Sequence, residues 1–337
     1  MRSRPPRFTG GRRPREVPVG SPWFVAHTGR LRAPWRLSVF LAAFVAAWVM
    51  TNAFVYPVLS FATSWRSVPV AFGPWLLLMT TAAAHVVALR QVDDEPWESV
   101  GCGRDAWSWS PLLRGTALGL AAIAATVGVL LMSGGLRAEW LADGTGPTIW
   151  GAAAVRMLWV LAPAALWEEL MFRGYLWRVA EDAAGPRVAL WSTSLGFGAV
   201  HLLNPGAGPR TIGAVVLAGV CLGLVRQATD SVPAAWLAHL AWNWGMAAVA
   251  HVPVSGLPFD APGWQLVPTE PSWWSGGSWG PEGGAAAVLV FTVALFLGAR
   301  RRPGQRPESA GVAERHHDSR TDTSTGAARL AAVPLRS

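Results

Sequence analysis

The sequence contains no lysine: all 28 of its basic residues are arginine. Charge of either sign is scarce, at 14% of 337 residues, where a soluble domain carries about a quarter. Cysteine is confined to Cys102 and Cys221. Two thiols so far apart exclude a disulfide framework and a cysteine-based metal site, and read as inert. No HExxH occurs, which removes the strong local signature of a zinc peptidase. No internal repeat is visible, and no signal-peptide apolar core lies close behind the start. What fills the chain is apolar: 52% of residues are hydrophobic, gathered into long runs of the kind that cross membranes. Arginine without lysine, beside abundant Ala, Gly, Pro and Trp, is the codon bias of a GC-rich genome. It points to a bacterial plasma membrane.

Eight candidate spans follow from the apolar runs, at 37–62, 69–89, 112–133, 148–172, 187–203, 212–226, 232–251 and 283–299. The fifth and sixth are short for a bilayer and need tilt or extension. The expected fold is therefore all-α: a polytopic membrane protein of about eight transmembrane helices. A transmembrane domain at 33–300 is flanked by polar tails, 1–32 and 301–337, expected to be disordered. Nine arginines precede or include Arg36, and eight more run from Arg300 to the end. By the positive-inside rule both termini are cytoplasmic, which an even number of spans allows. Arg90, Arg104, Arg173, Arg178, Arg187 and Arg226 then fall on the inner side, and only Arg66, Arg137 and Arg210 on the outer. The net charge of +8 is thus mostly topology, with basic tails able to touch anionic lipid and no nucleic acid implied. The outer loop 252–282 has no arginine, and its Trp264, Trp273, Trp274 and Trp279 suit a membrane interface. Segment 91–110 reads as a cytoplasmic interfacial segment with a short amphipathic helix. Gly219 and Gly223 form a GxxxG, a signal for close helix packing.

Ionisable groups inside spans cost roughly 2.5–3.5 kcal/mol or more near the bilayer centre, and are functional hypotheses by default. Glu169 and Arg173 stand at i, i+4 with the carboxylate N-terminal, the favoured order for an intrahelical pair. Glu168 is turned about 100° from Glu169, above Phe172 on an otherwise apolar face, and is available as a general base. Phe197 and His201 share a helix face, as do His239 and Asn243. Glu168 lies 17 residues before Gly185 and His201 lies 16 after it, so an antiparallel hairpin sets them at similar depth. Three helices can thus converge a carboxylate, two imidazoles and an amide, which is enough for hydrolysis. Four more polar residues have blander readings: His85 structural or pore-facing, Arg156 snorkelling, His251 interfacial and Arg226 a topology anchor.

The segments EELMFR (168–173), FGAVH (197–201) and HLAWN (239–243) resemble, in order, the EExxxR, FxxxH and HxxxN patterns of the CPBP family. These are intramembrane proteases, also called the CAAX-protease and bacteriocin-processing or Abi family. The resemblance covers about 150–250. It implies a glutamate-type endopeptidase with a CAAX-protease-like helical core. In that scheme Glu168 is the general base, and with His201 holds the attacking water. His239 and Asn243 stabilise the oxyanion. Glu169 and Arg173 organise the site, with Phe197 supporting. The substrate would be a membrane-associated protein or peptide, processed in CAAX-type or bacteriocin-related fashion. The glutamate mechanism needs no cofactor. If zinc is held instead, Glu168, His201 and His239 are the candidate ligands.

Two other functions compete. A non-catalytic scaffold, regulator or bacteriocin-immunity protein would keep the fold but has no need of the buried charges. A proton-coupled transporter would use the carboxylate and imidazoles as a relay, but calls for repeat symmetry or matched broken helices. Oligomeric state is not legible in the sequence.

Overall fold

Apolar runs long enough to span a bilayer close their hydrogen bonds within themselves, and they do so here as helices. The computed structural model describes residues 24, 30–62, 68–141, 147–259 and 263–300. The remainder of the 1–32 tail, the 301–337 tail and Arg66 lie outside the described residues. The described residues up to 296 form one compact unit; of a second unit only the helix end 297–300 is described.

The first helix, α1, is Ala33–Ala62, opened by Pro34 in its first turn. Helix α2 is Val68–Val87 and continues through a wide π turn to Asp93. Helix α3 is Trp109–Met132. Strand β1, Leu136–Trp140, leads to α4, Pro147–Glu169. A π-type turn, Leu170–Tyr175, joins α4 to α5, Leu176–Ala184. Helix α6 is Pro186–Val200, α7 is Pro209–Thr229 and α8 is Val232–Trp244, prolonged by a π turn to Ala250. Strand β2, Trp264–Pro268, precedes α9, Ala285–Arg300.

Each predicted span coincides with a helix. Five described stretches are long and apolar enough to cross a membrane: Ala33–Ala62, Phe72–Asp93, Trp109–Met132, Ile149–Ala184 and Pro209–Thr229. The chain is a polytopic membrane protein. The sixth span proves longer than expected, at 21 residues, because Pro209 and the Gly208–Thr211 cap start its helix earlier. The fourth does not end at 172 but runs to Ala184 through a break at Gly174.

The fold is all-α, with one small antiparallel pair added: β1 lies against β2, Leu136 opposite Pro268 and Trp140 opposite Trp264. Local expectations need correction. The 252–282 segment is therefore partly a strand, and Trp279 is buried at 2% exposure rather than interfacial. Segment 91–110 holds two short 3-10 turns, Trp97–Val100 and Arg104–Trp107, and no amphipathic helix. Pro96, Gly101 and Gly103 interrupt it. Within the stretch read as a tail, Phe24 lies against Trp35 and Arg30 pairs with Glu95.

Small residues set the tightest helix contacts. A Cβ on Gly115 or Gly119 of α3 would lie 2.0 Å from the Ala234 carbonyl oxygen or 2.2 Å from that of Ala238. Bare glycine lets α3 seat against the α8 backbone. Gly219 and Gly223 do the same for α7, against Ser194 and Leu190 of α6 and Trp177 of α5. Beyond α8, the Glu282 carboxylate accepts the Trp242 Nε1–H at 3.1 Å, and the Ser255 N–H and hydroxyl at 2.6 Å each. This ties the 252–282 segment to the helix that carries His239 and Asn243.

Candidate active site

The last turn of α4 supplies Glu168 and Glu169, and the turn after it Arg173. Glu169 and Arg173 are fully buried and pair as their spacing predicts, with Arg173 Nη1 donating to Glu169 Oε1 at 3.2 Å. Neither relies on the other alone. Arg173 Nη2 donates to the Gly219 carbonyl of α7 at 2.9 Å, and its guanidinium lies 4.5 Å from the centre of the Phe197 ring. Charge-assisted bonds and a ring face take the place of water around a cation that would otherwise be very costly to bury.

Glu169 Oε1 has a second partner, His239 Nδ1, at 3.0 Å. The carboxylate thus accepts from Arg173 and from His239 at one oxygen, and joins α4 to α8. This goes beyond the pair expected from spacing. It also orients His239: Nδ1 carries the proton given to Glu169, and Nε2 points the other way. Nε2 lies 3.9 Å from Glu168 Oε2, too far for a hydrogen bond but close for charges in a dry site. Glu168 is therefore not alone on an apolar face. Its side chain is 17% exposed, faces the imidazole of α8 and keeps a buried oxygen, Oε2, without a hydrogen-bond partner.

Helix α6 ends at the site. Its cap residue His201 donates Nδ1–H to the Phe197 carbonyl one turn back, at 2.7 Å. This fixes the tautomer and leaves the Nε2 lone pair free to accept. Glu168 lies within the electrostatic reach of both His201 and His239. Phe197 is the hub of the packing, with ring centres 4.7 Å from His201 and 5.7 Å from both His239 and Phe172. Asn243 follows His239 by one turn of α8 and is buried at 8% exposure. Six of the seven predicted residues form one contact network, and Asn243 lies one turn beyond it.

Among the described residues, no three of His, Cys, Asp and Glu are grouped to hold a metal ion. The two imidazole Nδ1 atoms are committed to Glu169 and to the Phe197 carbonyl, and in each ring Nε2 is the nitrogen on the other side.

Two residues given bland roles stand against the site. Arg226 is no free charge at the membrane face. It is buried, donates Nε–H to the Arg173 carbonyl at 3.3 Å, and pairs through Nη1 with Asp230 at 2.6 Å. His85 is fully buried and accepts the Tyr175 amide at 3.2 Å. A glycine directly after Arg173 inside a helical pattern is the signal that could have pointed to both, because a break there frees backbone groups that need partners.

No curated protein matches the chain. Residues 149–245 match the family described as type II CAAX prenyl endopeptidase Rce1-like, a stretch that opens in α4 and closes just after α8. All seven motif residues fall within it. Residues 149–245 of this polytopic membrane protein thus match the domain of the Rce1-like type II CAAX prenyl endopeptidase family.

Proposed function

We propose that this protein is an intramembrane endopeptidase acting on a membrane-associated protein or peptide, with eight transmembrane helices and both termini in the cytoplasm. The observation that carries the reading is the apposition of Glu168 to His239 Nε2, beside His201 with its Nε2 free. A water between Glu168 and His201 gives one hydrogen to the carboxylate and the other to the His201 lone pair. Its oxygen attacks the scissile carbonyl carbon as Glu168 takes the proton. The oxyanion so formed accepts from His239 Nε2–H and from the Asn243 amide. Glu168 then returns the proton to the leaving nitrogen, and the C–N bond breaks.

His239 Nδ1–H is held by Glu169, so donation from Nε2 requires the imidazolium. The charges then balance: Glu168 and Glu169 against Arg173 and His239. A neutral set of four is the arrangement a low-dielectric site tolerates.

The test is cleavage of a panel of membrane-associated peptides, prenylated and unprenylated, by purified protein in detergent. Glu168→Gln should lower kcat by at least about a thousandfold in protein that still inserts and folds, and a chelator should leave wild-type turnover intact. Undiminished cleavage by the variant would overturn the mechanism. A variant without turnover that still supports the cellular function would favour a scaffold.

A further inference from the structure

The helix that carries both carboxylates breaks one residue after Arg173. At Gly174, φ is −89° and ψ −112°, a ψ turned about 70° from the helical value. This rotates the next peptide group off the helix axis and frees the Tyr175 N–H. In the hydrocarbon region a freed amide needs a partner, and His85 of α2 provides it. Its Nε2 accepts Tyr175 N–H at 3.2 Å, while its Nδ1–H is given to the Thr81 carbonyl at 2.8 Å. That second bond fixes the tautomer with the lone pair at Nε2. The ring is boxed by Phe40 edge-on at 5.0 Å and Trp97 stacked at 5.7 Å. The fit leaves no room at the break: a Cβ on Gly174 would sit 2.6 Å from His85 Nε2. On the other side of the break, Arg226 holds the Arg173 carbonyl.

We propose that His85 is a positioning residue. By accepting the amide at the Gly174 break, it sets the place of Arg173, and through the Arg173–Glu169–His239 chain the orientation of the site imidazole. Its catalytic consequence rests on the peptidase reading; the clamp itself does not. A ring that merely fills space would be replaceable by any aromatic ring of its size. A clamp needs an acceptor at Nε2.

The experiment compares wild type, His85→Phe and His85→Gln in detergent. Three quantities are read: hydrogen exchange at the Tyr175 amide, the ring proton of His239 in protein carrying 15N-histidine, and the kinetics of peptide cleavage. His85→Phe keeps the volume and removes the acceptor. It should expose the Tyr175 amide, shift the His239 proton and lower kcat about ten- to a hundredfold, the scale of an ångström-level misplacement, with KM within about twofold. His85→Gln, whose side-chain oxygen reaches the same place, should restore all three. Wild-type exchange, His239 signal and kcat in His85→Phe would overturn the proposal, as would a kcat loss that His85→Gln does not reverse. If wild type itself cleaves nothing, the peptidase reading fails. The amide and His239 readings then decide the clamp on their own. Should His85→Phe not fold, a deprotected Tyr175 amide or a shifted His239 proton in folded His85→Gln would overturn the proposal.

Discussion

The Glu169–Arg173 pair is the energetic centre of the site, and a double-mutant cycle can weigh it. The charges stand 3.2 Å apart with no solvent exposure. With the effective dielectric near 20 that suits protein sites, their attraction is about 5 kcal/mol. Removing one partner strands the other: Arg173→Met leaves Glu169 with His239 alone, and Glu169→Gln leaves Arg173 with the Gly219 carbonyl and the Phe197 ring. Each single change should therefore cost about 3–5 kcal/mol. Glu169→Gln keeps an oxygen where Oε1 stands, so geometry is nearly conserved and the loss is mainly charge. The double variant strands neither charge and should cost only about 1–3 kcal/mol, from the bonds lost at Gly219 and His239. The coupling energy should then be at least about 3 kcal/mol. Equilibrium unfolding of all four proteins in detergent micelles measures it. Single variants within about 1 kcal/mol of wild type, or a double variant equal to the sum of the singles, would refute the view that the pair is a mutually dependent buried unit.

Other outcomes follow from packing and burial. Gly119→Leu places a side chain into the Ala238 carbonyl and should push α3 from α8, costing at least about 2 kcal/mol by overpacking. Gly128→Leu on the same helix, where a Cβ meets nothing within 4 Å, should melt like wild type, and equal melting of the two would deny that α3 sits on α8 through glycine. Burial pushes the Cys102 thiol up to about 12. The thiolate forms only well above neutral pH, so at pH 8 iodoacetamide should label Cys102 in the folded protein about a thousandfold more slowly than after unfolding. Rapid labelling of the native protein, read by mass spectrometry, would contradict that environment.

How much of this was legible in the residues can be argued case by case. Eight apolar runs marked eight helices, five described stretches being long enough to cross a membrane, because an apolar stretch in hydrocarbon has no other way to satisfy its backbone. The Glu169–Arg173 contact was readable because i, i+4 is a local rule of helix geometry. The GxxxG of α7 was read, whereas Gly115 and Gly119 of α3 were not, although they make the closer approach. The β1–β2 pairing was not readable either, since it joins segments more than a hundred residues apart with no alternation strong enough to stand out.

The sequence by itself determined the elements, the order of the three motifs and the helical faces on which their side chains lie, because each depends on periods of a few residues. Tertiary structure alone decided which atoms meet. Glu169 serves Arg173 and His239 at one oxygen, Glu168 faces the far nitrogen of the same imidazole, and Arg226 turns inward from the inner face assigned to it. Those contacts depend on how α4, α7 and α8 cross, which no spacing encodes. The break at Gly174 shows the division most clearly. The glycine stands in the sequence for anyone to read, but His85, which receives the amide freed there, comes from a helix ninety residues away.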